Sequence, residues 1–389
     1  MKSTKILCLQ IAICLVSALL LVGPSQAGSK GDVVKVGLIV PLAGPAVSWG
    51  QHSLIGAEIA RDEINAAGGI GGVPLKLIIY DTASKSDQAI ALAKKAAEQD
   101  QVLIILGPIL SSAAAVVFPV INRLQIPTVC PTSAQPGLSA QNRPWAFRNN
   151  LTSDKTLGPA LKKWVENHNI KKVAILYDSS DGVSTGEGVQ VFPSVLKQLG
   201  AEVVDSLTVQ KNDIDFSAHI TRIKGTAADG VAIAAQAEQA ANIVREMRRQ
   251  GLKLPVMTGV ECANPLFIKA GQSAVEGVYT SSATWADSPD PRVQKFTSEF
   301  MKRKSGEKPN SGAFKSYDSV YIIKEIIEKN GVSNAPGDLA KDRDRLREGW
   351  KNVKDYPGIS GVTSINAEGD GESIPTVLEV KGGRWVEVK

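Results

Sequence analysis

The sequence predicts an α/β protein of two halves, each a mostly parallel sheet with helices on both faces. Three observations carry this. Short apolar runs alternate with amphipathic stretches along most of the chain. The runs lack the in–out alternation of strands that face water on one side. The same rhythm restarts near residue 150. Apolar strands separated by helices are the pattern of parallel strands covered on both faces.

In the first half, residues 34–42 read as a buried strand and 51–67 as a helix with Ile55, Ile59 and Ile64 on one face. The glycine-rich run 68–72 stops that helix and turns into a strand at 75–82. A helix (87–99), a strand (102–107), a helix (112–124) and a strand (126–130) follow. The second half reads as a helix (155–167), a strand (172–178), a helix (188–199) and a strand (202–209). Next come a helix at 216–224 with Asp215 as its N-cap, a strand (230–235), a helix (239–250) and a strand (255–259). Beyond about 280 the helices lengthen, at 291–304, 313–330 and 339–353. The chain closes on a hairpin, 375–380 with 384–388, around Gly382-Gly383. No Ser-, Pro- or Gly-rich linker separates the halves, which suits several short crossovers and a hinge.

The first residues read as an address. Lys2 and Lys5 precede a largely apolar run, 6–22, and Ser25-Gln26-Ala27 gives a small-x-small cleavage site, so residues 1–27 are expected to be a secretory signal peptide. The alternative, a retained anchor, has a short apolar core against it. Cleavage leaves 362 residues, enough for two domains, and export to the periplasm is expected. No later stretch is apolar enough to cross a bilayer, so the mature chain is expected to be soluble. It keeps 42 basic residues against 39 acidic ones. That balance is too even to argue for nucleic acid. Cys8 and Cys14 leave with the leader. Cys130 and Cys262 follow strands of different halves and are expected to be free thiols.

Ligands of open parallel sheets sit at the carboxyl ends of strands. After the strand at 102–107 come Gly107-Pro108-Ile109-Leu110, and Ser111-Ser112 open a helix whose free N–H groups would hold a carboxylate. An ordinary helix start is the plainer alternative. The next strand ends in Thr132 and Ser133, a second group of hydroxyls at the same sheet edge. Trp49, in the loop after the first strand, would wall an apolar pocket or pack on its own helix. In the second half, Glu261 follows the strand at 255–259 and Gln236 the strand at 230–235. Glu261 is either a solvated loop residue or the partner of a ligand cation. An anion site on one half and Glu261 on the other would grip the two ends of a zwitterion.

Other patterns weigh less. Gly182-Val183-Ser184-Thr185-Gly186 matches the G-x-S-x-G elbow of hydrolases. Its strand ends near Asp178, too early for an elbow, and downstream only His219 is available, amid a helix. A serine hydrolase using Ser184 is therefore the lesser reading, and no enzyme is expected. The glycines at 68–72 end a helix and form no dinucleotide loop. His52, His168 and His219 stand far apart, so no metal site or cofactor is expected.

Together, Val36 to Pro45 with Trp49-Gly50, Asp62 to Gly72 (DEINAAGGIGG), Tyr80-Asp81, Gly107 to Ser112, Asp213 to Ser217 (DIDFS), Glu261 and Tyr317-Asp318 make the chain resemble the periplasmic leucine/isoleucine/valine-binding proteins, the type I solute receptors of ABC importers. The resemblance implies two Rossmann-like lobes joined by three crossovers near 149, 279 and 371, closing by hinge motion on a ligand in the cleft. Lobe 1 would be 28–149 plus 280–370, and lobe 2 would be 150–279 plus 371–389. It implies a ligand carboxylate held by Ser111, Ser112, Thr132 and Ser133, an ammonium held by Glu261, and Trp49 as a wall. Gln236 and a longer loop containing Asp181 would meet the ligand's far end. The implied partners are a small molecule, a branched-chain or other apolar amino acid, and the membrane permease of an importer, with the receptor itself a monomer. The same fold also takes aromatic carboxylates and short amides. The chain departs from the family in reading Thr132-Ser133-Ala134 where many relatives have Ala-x-Thr, and in lacking evident tyrosines for the ammonium.

Overall fold

The computed structural model describes residues 31–389. The expected signal peptide, with Cys8 and Cys14, lies outside the described residues. The chain runs through β1 (Val34–Val40), α1 (Val47–Ala66), β2 (Leu75–Asp81), α2 (Ser86–Lys94), β3 (Ile104–Leu106), α3 (Ser111–Leu124), β4 (Thr128–Cys130) and β5 (Ala146–Arg148). It continues through α4 (Ser153–His168), β6 (Lys172–Asp178) and α5 (Gly182–Gly186), which passes through a π turn at Glu187–Val191 into α6 (Phe192–Gln198). Then come β7 (Glu202–Val209), α7 (Ser217–Lys224), β8 (Gly230–Ala234), α8 (Ala237–Arg249), β9 (Val256–Thr258), α9 (Pro265–Gly271) and β10 (Tyr279–Ser282). The last part holds α10 (Pro291–Arg303), α11 (Ser311–Lys329), α12 (Leu339–Lys351), β11 (Tyr356–Gly358), β12 (Gly361–Ile365), β13 (Gly371–Glu372), β14 (Thr376–Val380) and β15 (Trp385–Glu387).

Two main sheets result. The first, in the order β2-β1-β3-β4-β5, is parallel throughout. The second, β15-β14-β10-β9-β8-β6-β7, is parallel except at the terminal hairpin, where β14 pairs antiparallel with β10 and β15 antiparallel with β14. Successive residues of one strand feed two cores, as strands covered on both faces must. Val36, Leu38 and Val40 pack with α11 and α12, while Ile39 joins the opposite core with α2 and α3. In the second sheet Ala174 and Leu176 face α7, α8 and α9, and Val173 and Ile175 face α4 and α6. The fold is thus α/β, with two lobes built on mostly parallel sheets.

The chain passes between the lobes at 149–152, 283–290 and 373–375. The expected boundary at 279/280 precedes β10, whose residues pair with β9 and β14, so the chain leaves the second sheet only after Ser282. The boundary expected at 370/371 precedes β13, which pairs with β12 in a small antiparallel sheet, β11-β12-β13, that the sequence pattern did not display.

Two helices start four or more residues earlier than their apolar periodicity indicates. The first turn of α1 contains Trp49, which is therefore helical rather than in a loop. This turn lies hard against the end of β1: a Cβ on Gly50 would stand 1.7 Å from the Pro41 carbonyl oxygen, so only glycine fits. The G-x-S-x-G stretch is itself the helix α5, with the Asp181 side chain accepting from the Ser184 N–H at 2.8 Å as its N-cap.

Candidate functional site

The carboxyl ends of both sheets face one cavity of about 210 Å³. That is many times the roughly 10–15 Å³ of such space one water needs, so the cavity admits a small molecule. Six of the seven residues singled out from the sequence line it: Trp49, Ser111, Ser112, Thr132, Gln236 and Glu261. Ser133 does not; it is fully buried behind the wall, with its Oγ 2.8 Å from Ser111 Oγ.

The first-lobe wall is a set of hydroxyls over a helix start. Gly107 ends β3 at φ +111°, where a Cβ would lie 2.3 Å from the Ile39 carbonyl oxygen; the turn it makes leads directly into α3. Among the described residues no side chain caps α3, so its first-turn N–H groups have no side-chain acceptor and an anion is favoured there. The Thr132 hydroxyl donates to the Ile109 carbonyl, and Ser112 meets Ser86 at 3.3 Å. Asn150, in the first passage between lobes, donates to the Thr132 carbonyl at 3.0 Å and also lines the cavity.

The second-lobe wall carries the carboxyls of Glu261 and Asp181 together with the exposed Lys211. Glu261, just beyond β9, accepts from Gln236 Nε2 at 2.6 Å and from the Ser184 hydroxyl at 3.3 Å. Asp181 lines the cavity beside it. Behind them Glu187 is buried, accepting from the Val260 N–H at 3.2 Å. A Cβ at Gly259 would come within 1.9 Å of Glu187 Oε2, so this glycine is what leaves room for the carboxyl. Burial, then the charges of Asp181 and Glu187, push the Glu261 carboxyl well above the ordinary carboxylate range, against the hydrogen bonds from Gln236 and Ser184. Burial is also the main reason that Glu187 is pushed up to about 8; Asp181 adds to it and the Val260 N–H opposes it. Carboxyls so crowded are eased by a cation. Across the cleft, Trp49 Nε1 reaches Gln236 Oε1 at 3.4 Å, a long bond joining the two walls.

Sequence reasoning missed three charged groups: Glu187, Lys315 and the exposed Lys211, which also lines the cavity. Glu187 was passed over because the helix was placed from residue 188 onward. Lys315, on α11, lines the cavity and is 3% exposed. Its signal was present: Lys315, Ser319, Ile322 and Ile326 share one buried helical face, where a lone lysine is out of character.

The serine-elbow pattern resolves differently. The Ser184 hydroxyl turns to Glu261, whereas His219 Nε2 lies 3.1 Å from the Thr208 carbonyl oxygen, so the two do not meet as nucleophile and base. Cys130 and Cys262 are both free and buried. The Cys130 thiol accepts from the Ser133 N–H at 3.3 Å, and Cys262 lies 3.7 Å from the Ala235 carbonyl oxygen. Burial pushes both thiols up.

Comparison with known proteins agrees with this architecture. Residues 33–384 match the family model described as periplasmic binding protein. The chain is 27% identical over 339 residues to the Leu/Ile/Val-binding protein BraC3 of Rhizobium johnstonii, covering 87% of this chain and 88% of that one. Among solved structures it is similar to the branched-chain amino acid transporter substrate binding protein LivJ of Streptococcus pneumoniae in complex with isoleucine. There the TM-score is 0.79 at 23% identity, over 91% of this chain and 97% of the other. It is as similar to a solute binding protein of an ABC transporter from Rhodopseudomonas palustris in complex with 3,4-dihydroxybenzoic acid, with a TM-score of 0.80 at 22% identity over 92% and 96%. At such identities these two structures speak for the fold. With its two parallel-sheet lobes, its shared cleft and a match over nearly all the described residues, this chain belongs to the periplasmic binding protein family, the family of the Leu/Ile/Val-binding proteins.

Proposed function

We propose that this protein is the extracytoplasmic solute receptor of an ABC importer and that its cleft closes on a branched-chain or other apolar amino acid. One observation carries the reading: an uncapped helix start with hydroxyls on one wall faces the carboxyl of Glu261 on the other. The ligand carboxylate would take the side of Ser111, Ser112 and Thr132, with Ser133 fixing Ser111 from behind. The ammonium would meet Glu261, with Gln236 and Asp181 beside it, and Trp49 would cover the apolar side chain. The lobes would follow the three passages of the chain, and the receptor would be a monomer that docks on a membrane permease after its signal peptide is removed. A ligand that touches both walls only in the closed state shifts the hinge by its differential affinity for that state.

An aromatic carboxylate is the second reading. It is favoured by the makeup of the walls: among the described residues that line the cavity there is no tyrosine, while Trp49, Leu110, Leu151, Val183 and Val260 offer apolar surface.

Thermal unfolding of the ligand-stripped mature protein distinguishes the two. Leucine, isoleucine, valine, phenylalanine, benzoate and aliphatic amides would each be added at increasing concentration. A true ligand at 100 times its Kd adds about 2.7 kcal/mol, a rise of several degrees at this size. Aliphatic amino acids are expected to give the rise, and Glu261→Gln to weaken it by about 30-fold or more in Kd, with the fold kept. A rise with benzoate alone would transfer the assignment to the second reading. Undiminished binding in Glu261→Gln would remove the ammonium role.

A further inference from the structure

Lys315 poses a question that the amino-acid grip just described leaves open. It stands one helical turn into α11, 3% exposed, and lines the cavity along with Ser311 of the preceding turn. Its ammonium has no hydrogen-bond or ion-pair partner among the described residues, although its backbone carbonyl accepts from Asn149 and Ser319. Asp318, on the same helix, acts on it through space but forms no ion pair with it, its oxygens being turned elsewhere. Asp318 Oδ1 accepts from the Ile359 N–H at 3.0 Å, and Oδ2 accepts from the N–H of Ser360 at 2.8 Å and from its hydroxyl. A buried cation that no acceptor touches is costly, and proteins rarely hold one without a use for it.

Its position indicates the use. Asn149 and Asn150, consecutive in the first passage between lobes, donate to the carbonyls of Lys315 and Thr132 respectively. A Cβ on Gly312, in the first turn of α11, would lie 3.3 Å from Thr132 Cγ2. The start of α11 therefore packs on the hydroxyl-bearing loop after β4, and Lys315 belongs to the same wall as Ser111, Ser112 and Thr132. A buried cation thus stands on the first-lobe side, opposite Glu261 and Asp181 on the second, which also carries the exposed Lys211.

We infer that Lys315 is a specificity-determining residue whose missing direct partner is a carboxylate of the ligand, so that the cleft selects carboxylates over their neutral amides. This rests on the receptor reading above and adds to it a buried ion pair beside the hydroxyls. The depressed basicity of Lys315, brought to about 8 by burial with Asp318 acting against it, fits a cation waiting for its partner.

The test uses Lys315→Met, which keeps the aliphatic stem, and two isosteric pairs, leucine with leucinamide and benzoate with benzamide. Titration calorimetry on stripped wild-type protein is expected to show the carboxylate of a pair binding and its amide not. Lys315→Met is expected to lose about 30-fold or more of the carboxylate affinity. Its ligand-free Tm is expected to rise by about 2–4 °C, because an unpaired buried charge has been removed; a merely structural lysine would lower it. Equal carboxylate binding by wild type and Lys315→Met, equal binding of acid and amide by the wild type, or a lowered ligand-free Tm overturns the inference and leaves the receptor reading standing. A wild type that binds no carboxylate of the panel overturns both.

Discussion

Glu187 shows how a residue that touches no ligand sets the character of the site. Its carboxyl is buried beneath Glu261, close to Asp181, and the only hydrogen bond it accepts among the described residues comes from the Val260 N–H. In the fold it keeps its proton up to about pH 8, whereas in the unfolded chain it loses it near the ordinary 4.5. Between those values the folded state binds more protons than the unfolded one, so stability is greatest at the acid end and falls as pH rises through the window. Glu261 is moved in the same direction by burial, by Asp181 and by Glu187 itself. The urea midpoint of the ligand-free protein is therefore expected to drop between pH 5 and pH 8. Glu187→Gln should flatten that slope by an amount of order a few kcal/mol, since a tenfold difference in proton affinity between the folded and unfolded states is worth about 1.4 kcal/mol. Parallel slopes in wild type and variant would mean that Glu187 is ionised at neutral pH. The carboxyl could not have been found from the sequence because it lies at a π turn, where the helical register slips by one residue and periodicity points elsewhere.

At the scale of elements, the site depends on how closely α1 and α11 approach, since α1 carries Trp49 and α11 carries Ser311 and Lys315. Gly56 permits the approach: a Cβ there would lie 2.1 Å from the Ala313 carbonyl oxygen, a backbone atom that cannot swing aside. Gly56→Ala is expected to force the helices apart and to destabilise by about 1–3 kcal/mol, even though alanine favours a helix. Urea denaturation should show a lower midpoint at an unchanged slope, and ligand affinity should fall with it. An unchanged midpoint would mean that the helix pair adjusts freely. The two helices were legible as amphipathic segments, and most of the sheet strands as apolar runs, because burial on both faces leaves an unbroken signal. The start of α1 was not, because its first turn, with Trp49, carries the half-buried face of a cleft rather than a core stripe. Six of the seven residues singled out line the cavity for a different reason: each comes after a strand's carboxyl end, a position fixed by topology. Lys315 and Ser311 approach from a helix of the last third of the chain, a placement that strand order alone does not reveal.

For the whole molecule the question is what fixes the ends of the passages between lobes. The strands were readable half by half, but the late passages only to within a few residues, because β10 and β13 are short and β10 pairs with a strand distant in sequence. One ion pair ties these places together. Arg148 closes β5 just before the first passage, and Asp370 lies just before β13 and the third. Both are buried, and they meet at 2.7 Å and 2.6 Å through two nitrogens of the guanidinium. Arg148 also donates to the Gln135 carbonyl, while its backbone N–H bonds to Gly369 at 2.9 Å. Removing one partner strands the other charge in a dry interior, at about 3–5 kcal/mol, whereas removing both takes the uncompensated charge away. Arg148→Met is therefore expected to unfold at a markedly lower urea concentration, and Arg148→Met with Asp370→Leu to recover a large part of the loss. The two sites are in contact, so the cycle should show a coupling well above the roughly 0.5 kcal/mol seen between independent positions. Simple additivity would place the anchoring of the passages in the backbone pairing of β12 with β13, leaving the ion pair as a neutral occupant of the core.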